Sequence, residues 1–178
     1  MKISPVGLVD LKKYGFLIDN HYRKWYTKAK IMQSRKSVAD ALVLAKKRLP
    51  DGYNFKITEG KRTLASQRLI VAKFAKKFEG KLLEDFAGGY PSITKPLPPD
   101  THRHGGALDL TIVDKRGKEL SMGGRTWTAA DSLRAYERNS LSRREKEIRD
   151  NRRLLATVMK KAGFKPHLPE WWHWKFRN

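Results

Sequence analysis

The stretch Ala107-Leu108-Asp109-Leu110-Thr111-Ile112-Val113 limits the fold more than any other part of the chain. It is the best strand signal in the sequence, a short apolar run that ends in the polar turn Lys115-Arg116-Gly117-Lys118. One carboxylate, Asp109, lies inside it, flanked by Ala107, Leu108, Leu110 and Ile112. A carboxylate in such surroundings is costly to bury alone, so the strand predicts a cation or a metal as its partner.

The elements around this strand follow from periodicity. Residues 34–49 place Val38, Ala41, Leu42, Ala45 and Leu49 on one helical face, and Pro50-Asp51-Gly52 ends the helix. Residues 53–58 alternate Tyr53, Phe55 and Ile57 with polar neighbours, as a half-buried strand does. A second helix is predicted over 63–78, with Leu64, Val71, Phe74 and Phe78 inward. Residues 86–100 are rich in glycine and proline and read as a loop that leads to His102. A last helix is predicted from Ser142 to Ala162, opened by a capping box of Ser142 and Glu145 and stopped by Gly163. Its inward stripe is Ile148, Leu155, Val158, Met159 and Ala162. Residues 171–176, Trp-Trp-His-Trp-Lys-Phe, alternate as a final strand. This order predicts an α+β fold, a small, mostly antiparallel sheet with helices packed on it.

Composition narrows the function classes. A chain of 178 residues is read as a single domain over 1–178. It has no cysteine, which excludes disulfides and thiolate metal sites and leaves His, Asp and Glu as metal ligands. No segment approaches the roughly 18 uninterrupted apolar residues of a membrane span. The start, MKISPVGLVDLKKYGF, has too short an apolar patch for a signal peptide, so a cytoplasmic location is expected. The formal charge of +21 implies attraction to polyanions, whether nucleic acid, an anionic cell-wall polymer or an acidic membrane surface. An ordinary solvated basic surface accounts for it equally well.

Several residues in this frame have the types that metal chemistry needs. A catalytic zinc takes three protein ligands and leaves one position open. His102 and Asp109 meet if Gly105 and Gly106 fold the chain back, which glycine permits. His173 is the natural third ligand, and Glu170, after Pro169, lies where a general base for hydrolysis is required. A lone histidine is more often a surface or hydrogen-bonded residue than a ligand, and His21, His104 and His167 are assigned that role. The same reading stays open, on residue types alone, for the others.

His102-Arg-His-Gly-Gly-Ala-Leu-Asp109 fits the H-x-x-G-x-A-x-D pattern of the M15 metallopeptidases, and Glu170-Trp-Trp-His173 fits their E-x-W-H pattern. The chain most resembles the VanX-type D-alanyl-D-alanine dipeptidases, over nearly its whole length. FKITEGKRT resembles the family's strand ending in an arginine, NRRLLATVMKKAGF its helix before E-x-W-H, and Met122-Gly123-Gly124 its MG turn. DNHYRKW, 19–25, is similar to its amino-terminal substrate-binding segment. The resemblance implies an M15/hedgehog-type peptidase fold with zinc at the sheet, held by His102, Asp109 and His173, and Glu170 as base. It also implies that Arg62 stabilises the oxyanion and that Tyr22 holds the substrate's amino group. On residue type alone Arg62 reads as a solvated turn residue.

The chain departs from the family at Asp100, where a serine is common, and after the MG turn. There the family has a Phe-Asp pair whose Asp binds the substrate amino group, and Trp127 stands at the aligned place, with Asp131 as a substitute. The implied reaction is hydrolysis of D-alanyl-D-alanine. Its alternative is a related M15 carboxypeptidase or endopeptidase cutting peptidoglycan stem peptides, which the charge favours. A nucleic-acid-binding module using the basic residues of 143–161 is the remote third reading, opposed by the acidic residues that interrupt that run.

Overall fold

Alternation builds the sheet as expected. In the computed structural model, which describes residues 7–19, 32–78, 95–125 and 128–177 (without the side chains of 73–78), Phe55 and Ile57 are fully buried. They lie in a strand spanning Asn54–Glu59, named β4. The strands before it are β1 (Leu8–Asp10), β2 (Leu17–Ile18) and β3 (Gln33–Arg35). Those after it are β5 (Ala107–Val113), β6 (Lys165–His167) and β7 (Glu170–Lys175). Five of them form one sheet in the order β2-β4-β5-β7-β6, parallel only between β2 and β4. The small sheet β1-β3 is antiparallel. The expected α+β architecture is therefore present.

β5 runs through the middle of the larger sheet, and every one of its residues except Asp109 is buried. The apolar sequence around the carboxylate is thus explained by a central strand covered on both faces.

Among the described residues there are three α-helices: α1 (Lys36–Lys46), α2 (Leu64–Phe78) and α3 (Arg143–Lys161). Val38, Ala41, Leu42, Ala45 and Leu49 are buried as the helical face predicts. The first helix starts two residues later than expected, because Ser34 and Arg35 pair with Val9 and Leu8 in the β1-β3 ladder. α3 has the capping box of Ser142 and Glu145, and Gly163 follows it at φ 91°. Ile148, Leu155, Val158 and Met159 enter the core, while Ala162 is half-buried. Val71 of α2 is buried; the side chains of Phe74 and Phe78 lie outside the described residues, as does the expected loop from 86 to 94.

α3 also buries a charge. Arg152 is 1% exposed and donates to the carbonyls of Met122 (2.8 Å), Ala130 (2.9 Å) and Ser132 (2.6 Å). This guanidinium ties Met122, Ala130 and Ser132 to the helix, and burial lowers its pKa to about 10. Among the described residues no helix is long and apolar enough to cross a membrane.

Candidate active site

The chain turns sharply before β5. His102–His104 forms a single 3-10 turn closed by Gly105, whose φ is 67°. A Cβ on Gly106 would stand 2.1 Å from the Pro99 carbonyl oxygen, so only glycine fits this approach. The fold-back brings His102 to Asp109. The β5-β7 ladder then sets His173 directly opposite Asp109.

The three side chains converge on one point. His102 Nε2 lies 3.2 Å from Asp109 Oδ1 and 3.0 Å from His173 Nδ1, and His173 Nδ1 lies 2.8 Å from Asp109 Oδ1. Of the described His, Asp and Glu residues, these three form the one group able to hold a metal ion together. His104 is exposed and takes no part.

The donor set fits a cation. His102 Nδ1 is 2.8 Å from the Gly60 carbonyl, which can only accept, so Nδ1 carries a proton and Nε2 faces inward, where the neutral ring would present its lone pair to a metal. Nδ1 of His173 and a carboxylate oxygen face the same point. Ligands at about 2.0–2.2 Å from a tetrahedral zinc would stand about 3.3 Å apart, slightly wider than this triangle. Three acceptors held this closely, with a carbonyl orienting one ring from behind, make a zinc-type ligand set.

Glu170 opens β7 and is 6% exposed. Its Oε1 is buried without a hydrogen-bond partner. Burial, reinforced by Asp109 and Glu59 and opposed by Arg62 and Lys175, pushes its pKa up to about 8. This is a carboxyl able to take up and release a proton near neutrality.

Arg62 is no solvated turn residue. Its Nε and Nη2 donate to Glu59 Oε1 (2.6 Å) and Oε2 (2.5 Å), and its Nη1 donates to Gln67 Oε1 (2.7 Å). Its backbone N–H donates to the His102 carbonyl at 2.9 Å. The fork on Glu59 fixes the plane of the guanidinium beside the metal ligands. Sequence reasoning missed Glu59 and Gln67. The three- and five-residue offsets from Arg62 were the available signal.

His167 was assigned an ordinary role, yet β6 sets it against the site. Its ring meets that of His173 edge to face at a centroid distance of 5.3 Å. Asp131 lies in a 3-10 turn, buried, with Oδ2 accepting from the Thr128 backbone N–H at 3.2 Å. Tyr22, with the rest of the 20–25 segment, and Trp127 lie outside the described residues.

Comparisons with known proteins find similar chains among dipeptidases. A family model described as D-ala-D-ala dipeptidase, peptidase family M15, matches residues 10–178. A D-alanyl-D-alanine dipeptidase of Synechocystis sp. is 43% identical over 86 residues, which cover 44% of this chain and 34% of that protein. The chain therefore matches about a third of that relative's length. A D-alanyl-D-alanine dipeptidase of Enterococcus faecium is 26% identical over 150 residues, covering 79% of this chain and 71% of the relative.

Proposed function

The chain belongs to the M15 peptidase family of D-Ala-D-Ala dipeptidases, and from that premise we propose that it is a zinc-dependent peptidase hydrolysing D-alanyl-D-alanine. The observation that carries this reading is the convergence of His102 Nε2, Asp109 Oδ1 and His173 Nδ1 beside the buried, unpartnered carboxyl of Glu170. His102, Asp109 and His173 would hold the zinc. When bound there, zinc supplies a Lewis acid for the scissile carbonyl and an acidified water.

The chain's own groups do the rest. Glu170, a buried carboxyl beside the ligand set, accepts a proton from the attacking water and returns it to the leaving amine. Arg62, held flat by Glu59 and Gln67, places fixed positive charge where the carbonyl oxygen becomes negative. Tyr22 and Asp131 are assigned to the substrate's amino group. The residues act as one domain, and the dipeptide reading goes with a cytoplasmic location.

A second reading is favoured by the charge of +21: a carboxypeptidase or endopeptidase acting on peptidoglycan stem peptides, concentrated on anionic wall polymers by its basic surface. Hydrolysis of free D-alanyl-D-alanine beside a muropeptide ending in D-alanyl-D-alanine separates the two. Turnover of the free dipeptide at the higher kcat/KM supports the first reading. Turnover of the muropeptide alone supports the second, and cleavage of neither overturns both.

A further inference from the structure

A peptide with a free C-terminus brings a carboxylate to this site, and Arg62 is already committed to Glu59 and Gln67. Another cation stands close by. Lys175 pairs with Ala107 across the β5-β7 ladder, two positions beyond the pairing of His173 with Asp109. Strand alternation puts Lys175 and His173 on the same face of the sheet. The residue opposite it on β5 is the small, fully buried Ala107, and on the other side Lys165 of β6 stands opposite, adding a second cation to this edge.

Lys175 is half-buried, and among the described residues no acidic group lies within ion-pair distance of it. A half-buried lysine left unpaired on the face that carries His173 is suited to hold a substrate anion.

The neighbouring strand completes the arrangement. His167 lies against His173 on the β6 side, half-buried, and neither of its ring nitrogens has a hydrogen-bond partner among the described residues. Across the ladder it faces Glu170. A neutral imidazole offers one N–H donor and one acceptor.

We propose that Lys175 and His167 form a subsite for the terminal carboxylate of the peptide substrate, Lys175 pairing with its charge and His167 donating to one of its oxygens. The inference rests on the peptidase reading and refines it: the substrate has a free C-terminal carboxylate, so the enzyme removes or separates a terminal residue and does not cut inside a chain.

The test compares D-alanyl-D-alanine with its C-terminal amide for the wild-type protein, Lys175→Met and His167→Phe. Zinc content and thermal midpoint are measured alongside. Both substitutions keep an apolar body of similar size, and His167→Phe keeps the ring contact with His173. The wild type is expected to prefer the free acid. Lys175→Met should raise KM for the acid roughly tenfold to a hundredfold, the scale of a hydrogen bond to a charged group, with kcat and the amide reaction little changed. His167→Phe should shift the acid reaction the same way by a smaller factor. Equal use of acid and amide by the wild type, or an undiminished acid preference in folded, zinc-loaded Lys175→Met, overturns the subsite and leaves the peptidase reading standing. Cleavage of neither compound by the wild type overturns that reading and the subsite with it.

Discussion

Arg62 and Glu170 show what single residues contribute here. Arg62→Ala removes a charge that Glu59 and Gln67 hold in place, but no metal ligand. It should therefore keep its zinc and lose roughly a hundredfold or more in kcat, the scale of one oxyanion donor. Metal analysis beside steady-state rates checks this, and wild-type turnover would remove Arg62 from the mechanism. Glu170 makes a second prediction, about stability. Its folded-state pKa of about 8 stands above the ordinary 4.5, so between these values the unfolded chain has released a proton that the folded chain keeps. Stability contributed by this group is thus present below about pH 4.5 and is lost as pH rises to about 8. For zinc-free protein, Glu170→Gln should be more stable than wild type at pH 8.5 by a few kcal/mol, on the order that a shift of this size represents. Near pH 4.5 the two should be equal. Urea midpoints at both pH values, with chelator present, decide it.

Three candidate site residues, Asp109, His173 and Glu170, were legible in the sequence because each is an unusual type in its setting: an aspartate among apolar neighbours, and a histidine and a glutamate beside a tryptophan run. Glu59, Gln67 and His167 were not. A carboxylate three residues from an arginine at a strand end resembles any solvated pair until the fold buries it. His167 became a neighbour of His173 only through the β6-β7 turn, which residue type alone cannot convey.

At the scale of elements, the helices were legible wherever they presented a sustained apolar stripe. The strands β1, β2, β3 and β6 were not, since two or three residues carry no periodicity. Arg152 also escaped notice, because a charge on α3 finds its reason in carbonyls about twenty to thirty residues away. The turn before β5 gives the sharpest prediction at this scale. Gly106→Ala drives a Cβ against the Pro99 carbonyl and the Asp100 backbone, so the His102 turn must shift. The variant should lose roughly 2–4 kcal/mol of stability and weaken zinc binding as well. Ser142→Ala, which removes only the α3 cap, should cost about 1 kcal/mol and leave zinc affinity unchanged. Thermal midpoints and zinc titrations of the two variants separate damage at the site from damage to a helix end.

For the whole molecule, the sheet gathers chemistry from distant parts of the chain: β4 supplies Glu59, β5 Asp109 and β7 both Glu170 and His173. Metal should therefore stabilise the fold, because the ligand set exists only when β5 and β7 are paired. The central claim is that His173 holds the metal while Glu170 handles the proton, and zinc stoichiometry after dialysis, measured beside the rate of D-alanyl-D-alanine hydrolysis, tests it most directly. Wild type should retain one zinc per chain and cleave the dipeptide. Glu170→Ala should retain the zinc and lose nearly all hydrolysis, whereas His173→Ala should lose both together. Loss of metal from Glu170→Ala with retention by His173→Ala would reverse the two roles, and full activity in both variants would contradict the metallopeptidase account.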